Sequence, residues 1–159
     1  MKKLIYLLVI TIIFAACASK KDYIVTGSIE GGVEGGIVYL SFVEKGSFVN
    51  IDPSVIKNGV FTFKGRQDTV VNCYVRSKEK VGNTNRKLYG DFFLENGEIN
   101  IIITTKGSTV SGTPNNDAYQ AIRNEMYELQ KNLASVPKEE QMKEFDKIFT
   151  GVMKNAATR

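Results

Sequence analysis

The chain has no histidine and no tryptophan, and its 159 residues include only two cysteines and three prolines. Each scarcity narrows the chemistry. Without histidine the commonest general base and the commonest metal ligand are missing, and neither a Ser-His-Asp nor a Cys-His constellation can be assembled. Zinc would need an all-cysteine or carboxylate site, and the two cysteines, Cys17 and Cys73, form no C-x-x-C pair. No phosphate-cradling G-x-x-x-x-G-K-[ST] loop occurs. The glycines from Gly31 to Gly36 do not match G-x-G-x-x-G and join strand to strand rather than strand to helix. The expectation is a non-enzymatic chain with no catalytic residues, no metal and no cofactor.

A concentrated charge of one sign is also missing. The net charge is +4, but Lys2 and Lys3 supply two of the 21 basic residues, leaving 19 against 17 acidic ones in the rest of the chain. Nucleic-acid binders carry a far denser positive field, so no nucleic-acid partner is expected. With 43% hydrophobic and 24% charged residues the composition is that of an ordinary globular domain, long enough for a single core.

The N-terminus is informative. Lys2 and Lys3 precede an uncharged run from Leu4 to Ala16, and Cys17 follows. A basic segment, an apolar stretch of about 7–15 residues and small residues at its end read as a secretory signal. The run is shorter than the roughly 20 residues a spanning helix needs. Phe14-Ala15-Ala16-Cys17 resembles the bacterial lipobox, with Phe14 in place of the usual Leu. In such signals the thiol is acylated with diacylglycerol, and the signal peptidase cuts before it. Two or three acyl chains, at about 0.8 kcal/mol per buried methylene, hold a protein stably on a membrane. Ala16-Cys17-Ala18 also reads as an ordinary A-x-A cleavage site, which would release a soluble product. The expected organisation is a signal peptide over 1–16, a lipidated tether over 17–22, a β domain over 23–114 and a helical connector or hairpin over 115–159. The tether lacks the acidic run that sends Bacteroidetes-type lipoproteins to the outer face, so the periplasmic side is expected.

From Tyr23 to Gly112 the hydrophobic period is two. Tyr23, Val25 and Ile29 alternate with Ile24, Thr26 and Ser28. Ile37 to Val43 is nearly all apolar, as for a central strand. Phe61 and Phe63 share a face, as do Val71, Cys73 and Val75, and Ile99, Ile101 and Ile103. Asp52-Pro53 reads as a turn, and Asn58-Gly59 and Asn96-Gly97 as hairpin turns that tolerate positive φ. About six to eight short strands predict a mainly β fold, an antiparallel sandwich or partly open barrel. After Pro114 the period changes. Asn115, Asn116 and Asp117 offer helix caps, and Tyr119, Ile122, Met126, Leu129 and Leu133 recur at helical spacing. Ser135-Val136-Pro137 breaks the helix, and Met142, Phe145, Ile148, Phe149 and Val152 form a second stripe. The stripe from Tyr119 to Phe149 is the candidate interaction face: either it packs wholly within the fold, or part of it stays exposed for docking.

Other candidates have plainer readings. Cys73 is a lone thiol flanked by Val71 and Val75 on one strand face, which favours a small buried hydrophobe over a redox group. Asp91 and Glu95 share a face with Phe93 and read as a solvated sheet edge. Arg76, Lys78, Lys80, Arg86 and Lys87 surround a Gly-Asn-Thr-Asn loop, read as solvated or as a seat for an anionic glycan or lipid headgroup.

Several segments carry a family resemblance: Val25-Thr26-Gly27-Ser28-Ile29, Val38-Tyr39-Leu40, Ile51-Asp52, Lys57-Asn58-Gly59-Val60-Phe61-Thr62-Phe63-Lys64-Gly65, Phe93-Leu94-Glu95-Asn96-Gly97-Glu98-Ile99 and Val110-Ser111-Gly112-Thr113. In order and spacing they resemble the domain of unknown function DUF4369, the N-terminal β domain of Bacteroidetes thioredoxin-like lipoproteins, from about Tyr23 to Asn116. The resemblance implies a helical connector after the β domain and a thioredoxin-like neighbour, but no catalytic residue is carried over, since no C-x-x-C is present. Three functions follow as expectations. The first is a membrane-anchored interaction module, held at Cys17, with a thioredoxin-like envelope protein as partner. The second is the N-terminal accessory part of a truncated or split thiol–disulfide oxidoreductase. The third is a small-ligand carrier with a pocket lined by Tyr39, Phe42, Phe61 and Phe63.

Overall fold

The computed structural model describes residues 22–80, 87–134 and 136–157, the side chains at 139, 152 and 155–157 excepted. The signal and its cleavage residues Phe14, Ala15, Ala16 and Cys17 lie outside the described residues, as does Arg86 of the basic loop. Eight strands run in chain order as β1 (Tyr23–Ile29), β2 (Ile37–Glu44), β3 (Ser47–Val55), β4 (Phe61–Gly65), β5 (Val71–Ser77), β6 (Tyr89–Leu94), β7 (Gly97–Thr104) and β8 (Gly107–Ser111). Two helices follow, α1 (Pro114–Leu133) and α2 (Lys138–Ala157). The strands form two four-stranded sheets, ordered β4-β1-β7-β8 and β3-β2-β5-β6. The fold is mainly β, a sandwich rather than a closed barrel, with a C-terminal helical hairpin.

The period-two residues build the core. Val25, Val38, Leu40, Phe61, Phe63, Val75, Phe92, Ile99, Ile101 and Ile103 point inward from both sheets and are buried in one cluster. Asn72 and Ile102, on the opposite faces of their strands, are exposed. Phe61 and Phe63 pack ring against ring with centroids 5.7 Å apart.

Several expectations are corrected. The sandwich is not wholly antiparallel: β1 lies parallel to β7, with Tyr23 opposite Gly97 and Ile29 opposite Ile103. Gly27 makes this placement possible, because a Cβ there would collide with the Ile101 carbonyl and the Phe61 ring. Asp52-Pro53 is not a turn. Both lie inside β3, with Pro53 opposite Tyr39 and a bulge between the Leu40 and Ser41 pairings. β3 is an edge strand, where a residue without an N–H is tolerated. Asn58-Gly59 is the expected tight turn, with φ of 52° and 76° and a Lys57–Val60 bridge, and it carries the chain from one sheet to the other. Asn96-Gly97 is not a hairpin, because β6 and β7 belong to different sheets. The Asn96 side chain instead ties the loop before β5, accepting from the Gln67 N–H and donating to the Gln67 carbonyl.

The helix begins two residues earlier than capping by Asn115 would place it. Thr113 is the N-cap and Pro114 opens the helix, a position where a missing N–H costs nothing. The residues expected as caps do another job, sewing α1 to the sandwich. β6 and β8 are the edge strands on one side, and Gly90 lets them approach: a Cβ there would sit 2.8 Å from the Ser108 Cβ. The backbone groups of these edges need partners. Asn116, fully buried, accepts from the Phe93 N–H and donates to the Phe93 carbonyl, each at 2.8 Å. The Gln120 side chain accepts from the Val110 N–H at 2.9 Å, and Asp117 accepts from the Gly112 N–H at 2.9 Å.

Candidate interaction surface

The helical stripe predicted from sequence divides into residues that the fold uses and residues that it leaves open. Tyr119 belongs to the first group. Its ring meets Phe93 edge-on at 5.3 Å, and its hydroxyl donates to Asp91. Leu129 is also taken, only 2% exposed. Ile122 and Met126 remain 43% and 36% exposed. With Leu133 and Phe145, both half-buried, and Leu129 at its base, they line an apolar groove of about 460 Å³ between the helices. Phe149 is 39% exposed and stacks on Phe145, centroids 5.4 Å apart and rings inclined by 12°. This partial exposure is the property the docking expectation required.

A different cluster sits where α1 crosses the two sheet edges. Asp91 on β6 accepts from Tyr119 and lies 3.6 Å from Arg123 Nη1. The same Nη1 donates to Ser108 Oγ on β8 at 3.3 Å. Burial pushes the Tyr119 phenol up to about 12, and the hydrogen bond and charge of Asp91 add to it. Tyr119 therefore stays protonated at neutral pH and serves as a donor. Glu95 accepts from the Asn115 backbone N–H at 3.1 Å and from its side-chain amide at 2.7 Å. Asp91 and Glu95 are thus not an idle solvated edge but two of the anchors of α1. Their partners lie 28 and 20 residues away in sequence, beyond the reach of any local pattern.

Cys73 is fully buried, and burial pushes its thiol up to about 11. A thiolate is scarce there at neutral pH, which fits the small core hydrophobe read from its neighbours. Of the basic cluster, Arg76 lies over the Phe48 ring at 3.9 Å on the outer sheet face, and Lys87 lines a separate cleft beside Arg123. The four residues expected to line a carrier pocket do not converge. Phe61 and Phe63 fill the core with Phe42 against them, while Tyr39 pairs with Pro53 and Arg76 between the inward Val38 and Leu40. No helix among the described residues is long and apolar enough to cross a membrane.

The fold defines a two-sheet β domain with a helix fastened along its β6 and β8 edges. The sequence profile described as Domain of unknown function (DUF4369) matches residues 23–119, and the chain belongs to that family. The match runs past Pro114 into the first turns of α1, so it takes in Asn116 and Tyr119, which fasten the helix to β6. The rest of the hairpin lies beyond it. No curated protein matches the chain.

Proposed function

We propose that this protein is a membrane-anchored envelope lipoprotein, held by acyl chains on Cys17 and facing the periplasm. Its β domain acts as a non-catalytic interaction module that presents the helical hairpin to a protein partner. The observation that carries the docking role is the open apolar groove between α1 and α2, whose wall residues Ile122 and Met126, with Phe149 beyond them, are part-exposed. The anchor rests on Lys2 and Lys3, the uncharged run from Leu4 to Ala16, and the Phe14-Ala15-Ala16-Cys17 ending. The partner proposed is a thioredoxin-like envelope protein, the neighbour implied by the family resemblance.

The test has two arms. Cys17→Ser should abolish metabolic labelling with a radioactive fatty acid and move the protein out of the membrane fraction; unchanged labelling would remove the anchor. A photo-crosslinking residue at Met126, installed in the cell, should give a discrete adduct that disappears when Ile122→Asp is added. The same probe at Ile102, on the outer face of β7, should give none. Equal products from both positions, or no product from Met126, would overturn the docking role.

A further inference from the structure

Beyond the groove, the cluster around Arg123 opens into a second site with a different chemistry. The first residues before and within β6, the turn between β7 and β8, and the side of α1 enclose a cleft of about 340 Å³. A cleft of this size takes a small ligand. Lys87, Lys106 and Arg123 line it against one carboxylate, Asp91, so its walls carry two more positive charges than negative. Asp91 is already engaged by Tyr119 and lies 3.6 Å from Nη1 of Arg123. The hydrogen bond from Arg123 to the other described residues also leaves from that nitrogen, Nη1, toward Ser108. Nη2 lies on the Gly107 side, and the guanidinium stands 5.5 Å over the Tyr119 ring. Lys87 and Lys106 are exposed at the cleft wall. The Glu30 carboxylate accepts from the N–H of Thr105, a residue of the cleft wall, at 2.7 Å and from its hydroxyl at 3.0 Å, and its charge interacts with that of Lys106. The Tyr89 ring, 60% exposed, supplies a flat wall.

We infer that this cleft binds a phosphoryl group, with the Arg123 guanidinium as its fork and Lys87 and Lys106 as flanking charges. Three cations against Asp91, with Glu30 beside Lys106, leave a positive excess that the oxygens of a phosphoryl group can meet. A guanidinium with unfilled donors is matched in shape to tetrahedral oxyanions, and lysines add point charge without demanding geometry. The phosphoryl group is shared by a phospholipid headgroup and a soluble sugar phosphate, and the assay below separates them.

The full-length chain in neutral detergent is titrated calorimetrically with inorganic phosphate, glucose 6-phosphate, glucuronate and a short-chain phosphatidate kept below its micellar concentration. Saturable binding of phosphate is expected, weakening as salt is raised. Lys87→Ala/Lys106→Ala should weaken it at least about tenfold, equivalent to about 1.4 kcal/mol, with an unchanged melting temperature because both side chains are exposed. Lys57→Ala/Lys64→Ala, on the β3–β4 side of the domain, should leave it unchanged. Tighter binding of glucose 6-phosphate than of phosphatidate identifies a soluble ligand, and the reverse order a headgroup. Absence of saturable binding, equal loss in both lysine pairs, or glucuronate binding as tightly as glucose 6-phosphate would each overturn the assignment. Neither lysine lines the helical groove, so this result and the crosslinking result at Met126 stand or fall separately.

Discussion

The sandwich and the helical hairpin both carry apolar residues at regular spacing, yet they are held in place by different means. Each strand of the sandwich sends alternate side chains into one core, and Val25, Val38, Leu40, Val75, Phe92, Ile101 and Ile103 are completely shielded from water. In the hairpin, among the described side chains, only Leu129 is a buried hydrophobe. Geometry explains the difference. A sheet face opposes a second sheet face of the same area, so every inward residue meets another. Two antiparallel helices share only a narrow seam, and α1 meets the sandwich mainly at the strand edges rather than across a sheet face. Directed polar contacts through Asn116, Asp117, Gln120, Tyr119 and Glu95 fix its position. Burial therefore stabilises one region and hydrogen-bond geometry places the other. These contacts leave Ile122, Met126 and Phe149 part-exposed on the hairpin.

The largest test of this contrast is a cavity in the sandwich. Phe92 is fully buried at the centre of β6. Phe92→Ala should cost about 3–5 kcal/mol in urea unfolding, the range for deleting a buried ring. Both regions should be lost together, because α1 has no other platform. A loss below about 1 kcal/mol would show that the sandwich does not depend on its core in the way described.

The same division decides what could be read from sequence. β1, β4, β5 and β7 were legible because alternation records which face meets the other sheet, and β2 was legible as a nearly continuous apolar run. β3 was hidden by Pro53, whose local signal is that of a turn; only its place at a sheet edge makes it tolerable within a strand. The parallel partnership of β1 with β7 joins segments more than 70 residues apart, with Tyr23 opposite Gly97, and leaves no mark on either. Asn58-Gly59 and Asn96-Gly97 carry the same turn signal and both link strands of different sheets, yet only the first closes a tight turn, with positive φ at both residues and the Lys57–Val60 bridge. The docking stripe was legible as a helical period, but which of its members would stay exposed was not, because Tyr119 and Leu129 are removed from it by tertiary contacts. Of the Arg123 cleft, only Lys87 carried a signal, as part of the basic loop. Lys87, Lys106 and Arg123 come from three elements and are gathered only by the fold.

A smaller change should detach the hairpin without dissolving the sandwich. Asn116→Leu keeps approximate volume but leaves the Phe93 N–H and carbonyl without partners and removes a third bond, to the Thr113 hydroxyl. A buried backbone group left unpaired costs about 1–3 kcal/mol. The expected loss is about 2 kcal/mol, with faster hydrogen exchange at the Phe93 amide and a drop in helical circular dichroism at temperatures where the strand signal persists. Simultaneous loss of both signals at a common lower temperature would merge the two regions into one cooperative unit and break the contrast.

The gentlest probe is the ionisation of Tyr119, which reports on the same junction. Its phenol is pushed up to about 12, first by burial and then by the hydrogen bond to Asp91 and that group's charge, with Arg123 opposing. The folded value is above the unfolded value near 10. The contribution to stability is therefore complete below about pH 10 and is lost as the pH rises through about 12. Tyr23 is also pushed up, chiefly by burial, so the difference in tyrosinate absorbance between the parent and Tyr119→Phe isolates the step. The variant keeps the edge-on packing against Phe93 and loses only the hydroxyl bond, so its cost near neutral pH should be about 0.5–1.5 kcal/mol. A difference titration centred near 10 would mean that the first turns of α1 stand away from β6 in solution. One centred near 12 would show the junction closed, and the division between a buried sandwich and a hydrogen-bonded hairpin would then hold at the residue where the two meet.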